Sequence, residues 1–278
     1  MLNLGIYKDI SARLSRDITI SYSTSFSAAT RLLEPDISEA IVAIYGFVRV
    51  ADEVVDTWRP AQMESYLNDL GSDLKRAVRS GFSTNPIVQS FALAIIKYKI
   101  PLELVEAFLK SMKMDITKKS YNEAEYQKYI YGSAEAVGLM CLMVFVGGNK
   151  RAYSSLLGSA KALGSAFQKI NFLRDVGSDS SQLGRLYFPG LNGQIDDEAK
   201  SLIIEDIKKD LTLAKKAIKK LPKSSRYGVE LAYRYFAAIN QKMSRHSIEE
   251  IKSRRISLSK DVKLKIYCLV KIKQTLAS

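Results

Sequence analysis

An all-α chain is what the sequence predicts, and three observations predict it. Apolar residues recur at three-and-four spacing in segment after segment, strand-like alternation is nearly absent, and only 15 Gly and 6 Pro interrupt 278 residues. With 47% hydrophobic and 26% charged residues, the chain has material for a large core. It shows no Pro/Gly/Ser-rich linker and no internal repeat, which favours one domain over residues 1–278.

The first periodic segment covers residues 5–20. Charges in MLNLGIYKDISARLSRD break the uninterrupted apolar stretch that a secretory signal needs, so a cytoplasmic location is expected. The second covers 36–57, where Ile37, Ile41, Ile44, Tyr45 and Val48 form one stripe. Further segments follow at 61–79, 87–97 and 102–115, separated by SGFSTNP at 80–86 and KIP at 99–101. Residues 123–146 contain the apolar run AVGLMCLMVFVGG, which falls short of the roughly 20 residues of a membrane span and reads as a buried core helix. After GGN at 147–149 comes the segment 150–176, then the longest irregular piece, GSDSSQLGRLYFPGLNGQ at 177–194. A loop of that length in a compact fold marks a lid or binding flap. The last three segments are 197–220, 226–252 and 260–276, with LPKSS at 221–225 between the first two.

The stripe of the second segment runs into two carboxylates, because continuing its spacing from Val48 lands on Asp52 and Asp56 in ADEVVDTWRP. A charge held on an inward face costs on the order of several kcal/mol unless a positive group compensates it. A frayed, solvated acidic end stopped by Pro60 fits this stretch equally well. A second constellation lies in GSAFQKINFLRDVGSD, where Gly164, Gln168, Asn171, Asp175 and Asp179 succeed one another at helical steps. Asn171, Asp175 and Asp179 project from successive turns, although Gly177 weakens the last one. Phe167, Ile170, Phe172 and Leu173 crowd the neighbouring positions and leave little wet surface. If the two helices face each other across a cavity, these oxygen-only donors suit Mg²⁺, with Arg49 and Arg174 placed to contact phosphate oxygens.

Other chemistries lack their residues. The one histidine, His246, lies in a basic surface-like segment, so histidine-dependent triads and zinc sites are poorly supported. No GxxxxGK[ST] loop and no GxGxxG after a strand is present. Cys141 and Cys268 sit in apolar surroundings and read as reduced core thiols. The net charge of +13 is concentrated C-terminally: residues 201–278 hold 19 Lys/Arg against 7 Asp/Glu, residues 1–200 hold 23 against 22. Lysine pairs such as Lys208-Lys209 and Lys215-Lys216 alternate with apolar residues as on a solvated helix face, and no nucleic-acid-binding signature accompanies them.

Taken together, YSTSF at 22–26, IYGFVRVADEVVDT at 44–57, YGSAEAVG at 131–138 and QKINFLRDVGSD with the trailing RLYFP resemble the phytoene/squalene synthase family of head-to-head prenyl transferases, in order and interval, over most of the chain. The resemblance implies an all-α isoprenoid synthase bundle around a central apolar cavity. Asp52 and Asp56 would form the first Mg²⁺-diphosphate motif and Asn171, Asp175 and Asp179 the second, with Mn²⁺ able to substitute. Arg49 and Arg174 would bind diphosphate. Tyr45, Gln168, Ser23, Ser25 and Tyr235 would line the site, and Phe26, Ala134, Val137, Gly138 and Leu139 would border the prenyl tails. Thr24 stands where many relatives carry a lysine, a departure that leaves one phosphate contact to the basic C-terminal segment.

The implied reaction joins two geranylgeranyl diphosphates through a cyclopropylcarbinyl diphosphate, without NADPH. Small Ala28, Ala29 and Thr30 leave room for a long tail. The alternatives are condensation of two farnesyl diphosphates, or a non-catalytic interaction protein of the same fold. Prenyl diphosphates are the expected partners, with peripheral membrane association through the basic C-terminal region and no nucleic acid.

Overall fold

The computed structural model describes residues 4–58, 61–190 and 195–277, and among them no strand occurs; the expected stop at Pro60 and the loop residues 191–194 lie outside the described residues. Thirteen α-helices are described: α1 (Leu4–Tyr22), α2 (Thr24–Thr30), α3 (Pro35–Glu53), α4 (Met63–Ser80), α5 (Pro86–Tyr98), α6 (Leu102–Thr117), α7 (Glu123–Ile130), α8 (Ala136–Phe145), α9 (Lys150–Ser178), α10 (Asp197–Ile218), α11 (Lys223–Met243), α12 (Ile248–Ser253) and α13 (Lys260–Leu276). The caps explain several starts. Ser23, Asn85, Asn122, Asn149, Asp196, Ser247 and Ser259 each accept a backbone N–H of the first turn, and Asn122 and Ser247 complete capping boxes with Glu125 and Glu250.

Two boundaries differ from the periodicity. Residues 21–35 fall between the expected segments 5–20 and 36–57, yet Ser23 caps a short helix there, α2, which the periodicity does not show. The expected segment 226–252 divides at residues 244–247, because Ser247 caps α12 in a new direction. Three π turns, Val54–Trp58, Tyr131–Glu135 and Asp179–Leu183, adjoin α3, α8 and α9. Such turns carry one residue more than the α-helix and collect at functional sites. α7, its π turn and α8 form one 23-residue run, Glu123–Phe145, that by length and composition alone would suffice to cross a bilayer. The helical run is therefore longer than the apolar stretch AVGLMCLMVFVGG taken alone, but Ile130, Ala136, Leu139, Met140 and Val144 are packed into the core, as expected of a buried core helix.

Packing divides among three apolar groups. α3, α5, α6 and α8 share one around Phe47, Phe91, Phe108 and Met140. α9, α10, α11 and α12 share another around Ile170, Ile207, Leu231 and Tyr235. A small aromatic group joins Tyr121, Tyr126, Tyr129, Phe172 and Tyr187. Two glycines permit close backbone approach: a Cβ at Gly164 would stand 2.6 Å from the Ala134 carbonyl oxygen, and one at Gly177 would stand 2.1 Å from that of Lys252. Gly177 thus belongs to helical packing, and α9 runs through it to Ser178 instead of ending before it. The lysine pairs of α10 are exposed, as a solvated face requires. Cys268, expected in the core, is exposed on α13, while Cys141 is partly buried; both are free thiols.

Candidate functional site

A cavity of about 640 Å³ is lined by residues from all three apolar groups. Its polarity follows the direction of two helices. On α3 the lining passes from Ile41 and Ile44 through Tyr45, Val48 and Arg49 to Asp52, and the π turn adds Asp56. On α9 it passes from Leu156 and Ala160 through Leu163, Phe167 and Gln168 to Asn171, Asp175 and, just past the helix, Asp179. Both acidic pairs therefore sit at helix C-termini, where the helix dipole already presents partial negative charge. Carboxylates in that position call for cations.

The electrostatics record the same demand. Burial, then the neighbouring charge of Asp56, pushes the Asp52 carboxyl up to about 7. Burial and the charges of Asp175 and Asp56 push Asp179 up to about 7 as well. The two motifs, more than a hundred residues apart, line the same cavity. Asp175 behaves oppositely. Burial alone would raise it, but Arg174, at 3.0 and 2.5 Å, and Arg255, at 2.9 Å, outweigh burial and hold it below the usual carboxylate range.

Arginines also brace the first motif. Arg49 Nη1 donates to Asp52 at 2.6 Å, its other terminal nitrogen pairs with Glu53, and its guanidinium lies 4.2 Å from the Tyr22 ring centroid. Arg49 Nε is buried without a partner. Arg185, itself buried, donates to Asp56 at 2.5 Å and to the carbonyls of Val55 and Asp115 at 2.9 and 3.1 Å. Behind it, Asp115 accepts hydrogen bonds from Tyr129 at 2.6 Å and Tyr121 at 3.0 Å, and burial pushes its carboxyl up to about 6 despite Arg185. The Tyr129 hydroxyl, on the cavity wall, is held protonated well above its ordinary range by burial and by Asp115.

Of the residues singled out in the sequence, Asp52, Asp56, Asn171, Asp175, Asp179, Arg49, Arg174, Tyr45, Gln168, Ser23, Ser25, Phe26, Ala134, Val137 and Gly138 all line this cavity. Phe26 and Tyr45 stack with centroids 4.9 Å apart. Two do not reach the wall. Leu139 on α8 is buried among core residues and is not part of the cavity wall. Tyr235 is fully buried on α11 and donates its hydroxyl to the Lys263 carbonyl at 3.0 Å, so it supports α13 and does not line the cavity.

Sequence reasoning missed Asp115, Tyr129, Arg185, Tyr187, Arg255 and Lys263, all on the cavity or bonded to its wall. Arg185 and Tyr187 lie inside the quoted RLYFP and Tyr129 two residues before YGSAEAVG, so a local signal existed. Asp115 stands in SMKMDIT without a companion, and Arg255 and Lys263 are hidden in the basic C-terminal run. Among the described residues no three acidic, imidazole or thiolate groups form a ready-made metal cage.

The cavity is apolar along most of its length, and arginine-braced carboxylates gather on its wall at the C-terminal ends of two helices. The chain belongs to the squalene/phytoene synthase family, whose match covers residues 20–191, and is a prenyltransferase. It is 27% identical over 281 residues to a chloroplastic phytoene synthase 2 of Solanum lycopersicum, covering 94% of this chain and 90% of that one. It is 32% identical to a phytoene synthase of Rhodobacter capsulatus over 177 residues, 63% of this chain and 50% of the relative. Among solved structures it superposes on a dehydrosqualene synthase with a TM-score of 0.81 at 19% identity, covering 96% and 98% of the two chains. A squalene synthase from Alicyclobacillus acidocaldarius gives a TM-score of 0.74 at 18% identity, covering 86% and 95%. These neighbours share the all-α fold.

Proposed function

We propose that the protein condenses two geranylgeranyl diphosphates head to head into phytoene, with divalent metal, Mg²⁺ or Mn²⁺, bound between its two acidic motifs. The observation that carries the reading is the convergence of Asp52 and Asp56 with Asp175 and Asp179 on one otherwise apolar cavity. The donor set fits Mg²⁺, which takes one or two carboxylates plus waters and phosphate oxygens and needs no closed protein cage. Asp52 and Asp179 are both raised to about 7 by burial and like charge, for Asp52 despite its pairing with Arg49, so further positive charge beside them would be favourable. Asp52, Asp56, Asn171, Asp175 and Asp179 would hold the metal. Bound there, it neutralises the diphosphate and makes it a better leaving group.

The chain's own residues do the rest. Arg49 and Arg174 orient the diphosphate, each already turned toward a motif carboxylate. Val48, Leu163, Phe167 and Val137 exclude water from the allylic cation, and the stacked Tyr45 and Phe26 offer it aromatic faces. Ala29 and Thr30, small residues on the wall, support the longer substrate, as do the relatives that carry the name phytoene synthase. The second reading, condensation of two farnesyl diphosphates, draws on the dehydrosqualene and squalene synthases among the structural neighbours.

Incubation with each diphosphate and Mg²⁺, without NADPH, followed by identification of the hydrocarbon, tests both. A C40 product is expected; a C30 product alone would establish the second reading. We also propose that the protein docks on membranes through α13, where Leu264, Leu269, Ile272 and Leu276 stand exposed beside Lys265 and Lys271.

A further inference from the structure

We propose that Lys263, brought from the C-terminal helix onto the hydroxyl of Thr24, supplies the ammonium that grips the substrate's diphosphate in this protein. The inference rests on the reading of the cavity as a prenyl diphosphate site and adds a residue to it. Lys263 Nζ lies 3.0 Å from Thr24 Oγ1, across 239 residues of sequence, and both residues line the cavity. Among the described residues that hydroxyl is its one hydrogen-bond partner, and no carboxylate pairs with it. The contrast with its own helix is direct, since Lys273 on α13 is neutralised by Glu230 at 2.7 Å.

The surroundings of Lys263 are those of an anion site. Arg174 and Arg255 line the same cavity as Lys263, and burial, then the charges of these two guanidiniums, lower the proton affinity of its ammonium. Those guanidiniums converge on Asp175, which can neutralise only part of three positive charges. An ammonium and two guanidiniums sharing one cavity wall repel one another unless an anion with several oxygens joins them, and a diphosphate satisfies that need. The position is fixed at two points. Ser259 caps α13, accepting the Val262 N–H at 3.4 Å, and Tyr235 donates to the Lys263 carbonyl at 3.0 Å. Thr24 is too short to reach a phosphate as a lysine would, but its hydroxyl aims the lysine that arrives from the other end of the chain.

Pyrophosphate titration of the full chain in Mg²⁺, followed by calorimetry, tests the assignment without relying on turnover. Lys263→Met is expected to weaken pyrophosphate binding about tenfold or more, the worth of one charged hydrogen bond. Lys263→Arg should retain most of the affinity. Adding Thr24→Lys to Lys263→Met should restore it, because the ammonium then approaches the same oxygens from α2; this rescue separates loss of a contact from loss of structure. Binding by Lys263→Met within twofold of wild type, or a double variant no better than the single one, overturns the proposal. If wild type binds pyrophosphate with this dependence but yields no hydrocarbon from either prenyl diphosphate, the condensation reading fails and the Lys263 site stands. If wild type does not bind pyrophosphate, both fall.

Discussion

Arg185 donates to Asp56 at 2.5 Å from 129 residues further along the chain, and the same guanidinium bonds the carbonyls of Val55 and Asp115. One side chain thus ties the π turn after α3 to the C-terminal end of α6. The Leu186 N–H, donating to the Lys119 carbonyl at 2.8 Å, pins the adjoining backbone. Because the Arg185 side chain is only 2% exposed, its removal would strand Asp115, equally buried, beside Asp56. Arg185→Met is expected to cost about 3–5 kcal/mol, the penalty for breaking a buried pair from one side. Urea unfolding measures it; a loss below about 1 kcal/mol would mean that Asp115 simply takes up a proton.

Asp52 and Asp175 separate catalysis from stability. Asp52→Asn relieves a carboxyl that burial and Asp56 already raise to about 7, so the thermal midpoint should hold or rise while Mg²⁺-dependent diphosphate release falls by roughly 10²–10³. Asp175→Asn removes the negative charge and one of the two oxygens that Arg174 and Arg255 share, so activity and midpoint should fall together. Equal stability changes in the two variants would contradict this assignment of their charges.

The sequence carried the helical architecture because a 3.6-residue period needs only local information, and the stripe from Ile37 through Val48 to Asp52 pointed inward as it stands in the structure. It also carried most of the cavity wall, since Asn171, Asp175 and Asp179 share one helix face with Gln168. What it did not carry depends on distant packing. Asp115 acquires meaning only when Tyr121, Tyr129 and Arg185 fold over it. Lys263 and Arg255 are indistinguishable in the sequence from the solvated lysines of α10, because no periodicity says which end of the chain returns to the cavity. Tyr235 shows the converse: a tyrosine matched to a family position serves here to hold α13.

Gly177 offers a test of how α9 delivers its carboxylates. A methyl group at this position would lie 2.1 Å from the Lys252 carbonyl oxygen, so Gly177→Ala must push α12 away from α9. The expected cost is about 1–3 kcal/mol. Arg255, two residues beyond α12, should lose its contact with Asp175, lowering turnover more than Gly158→Ala does, where nothing lies within 4 Å of the added carbon. Equal activity of the two variants would remove α12 from the support of the site.

The outer face of α13 predicts vesicle binding. Flotation with vesicles containing about one third anionic lipid should recover the protein at low salt, and neutral vesicles should recover much less. Replacing Leu264, Leu269 and Ile272 by Ser should abolish recovery without affecting pyrophosphate binding, because these side chains are exposed and do not line the cavity. Undiminished flotation of the triple variant would locate the membrane contact elsewhere.

Glu230 links the docking of α13 to pH. It accepts from Lys273 at 2.7 Å and from Arg234 at 3.0 and 2.8 Å; burial works against its charge, yet the two cations hold its carboxyl below the ordinary glutamate value of 4.5. A carboxylate whose folded pKa is depressed contributes stability that is complete above the unfolded value and is lost as pH falls through the folded one. The stabilising contribution of Glu230 should therefore be constant from about pH 7 to 5 and decline below about 4.5. Glu230→Gln should lose stability above that window and converge on wild type below it, which urea midpoints at a series of pH values would read directly. Because α13 also carries Lys263, pyrophosphate affinity in Glu230→Gln should drop at neutral pH even though residue 230 does not touch the cavity. A variant with reduced stability but unaltered pyrophosphate affinity would show that α13 holds Lys263 in place without the Lys273 anchor.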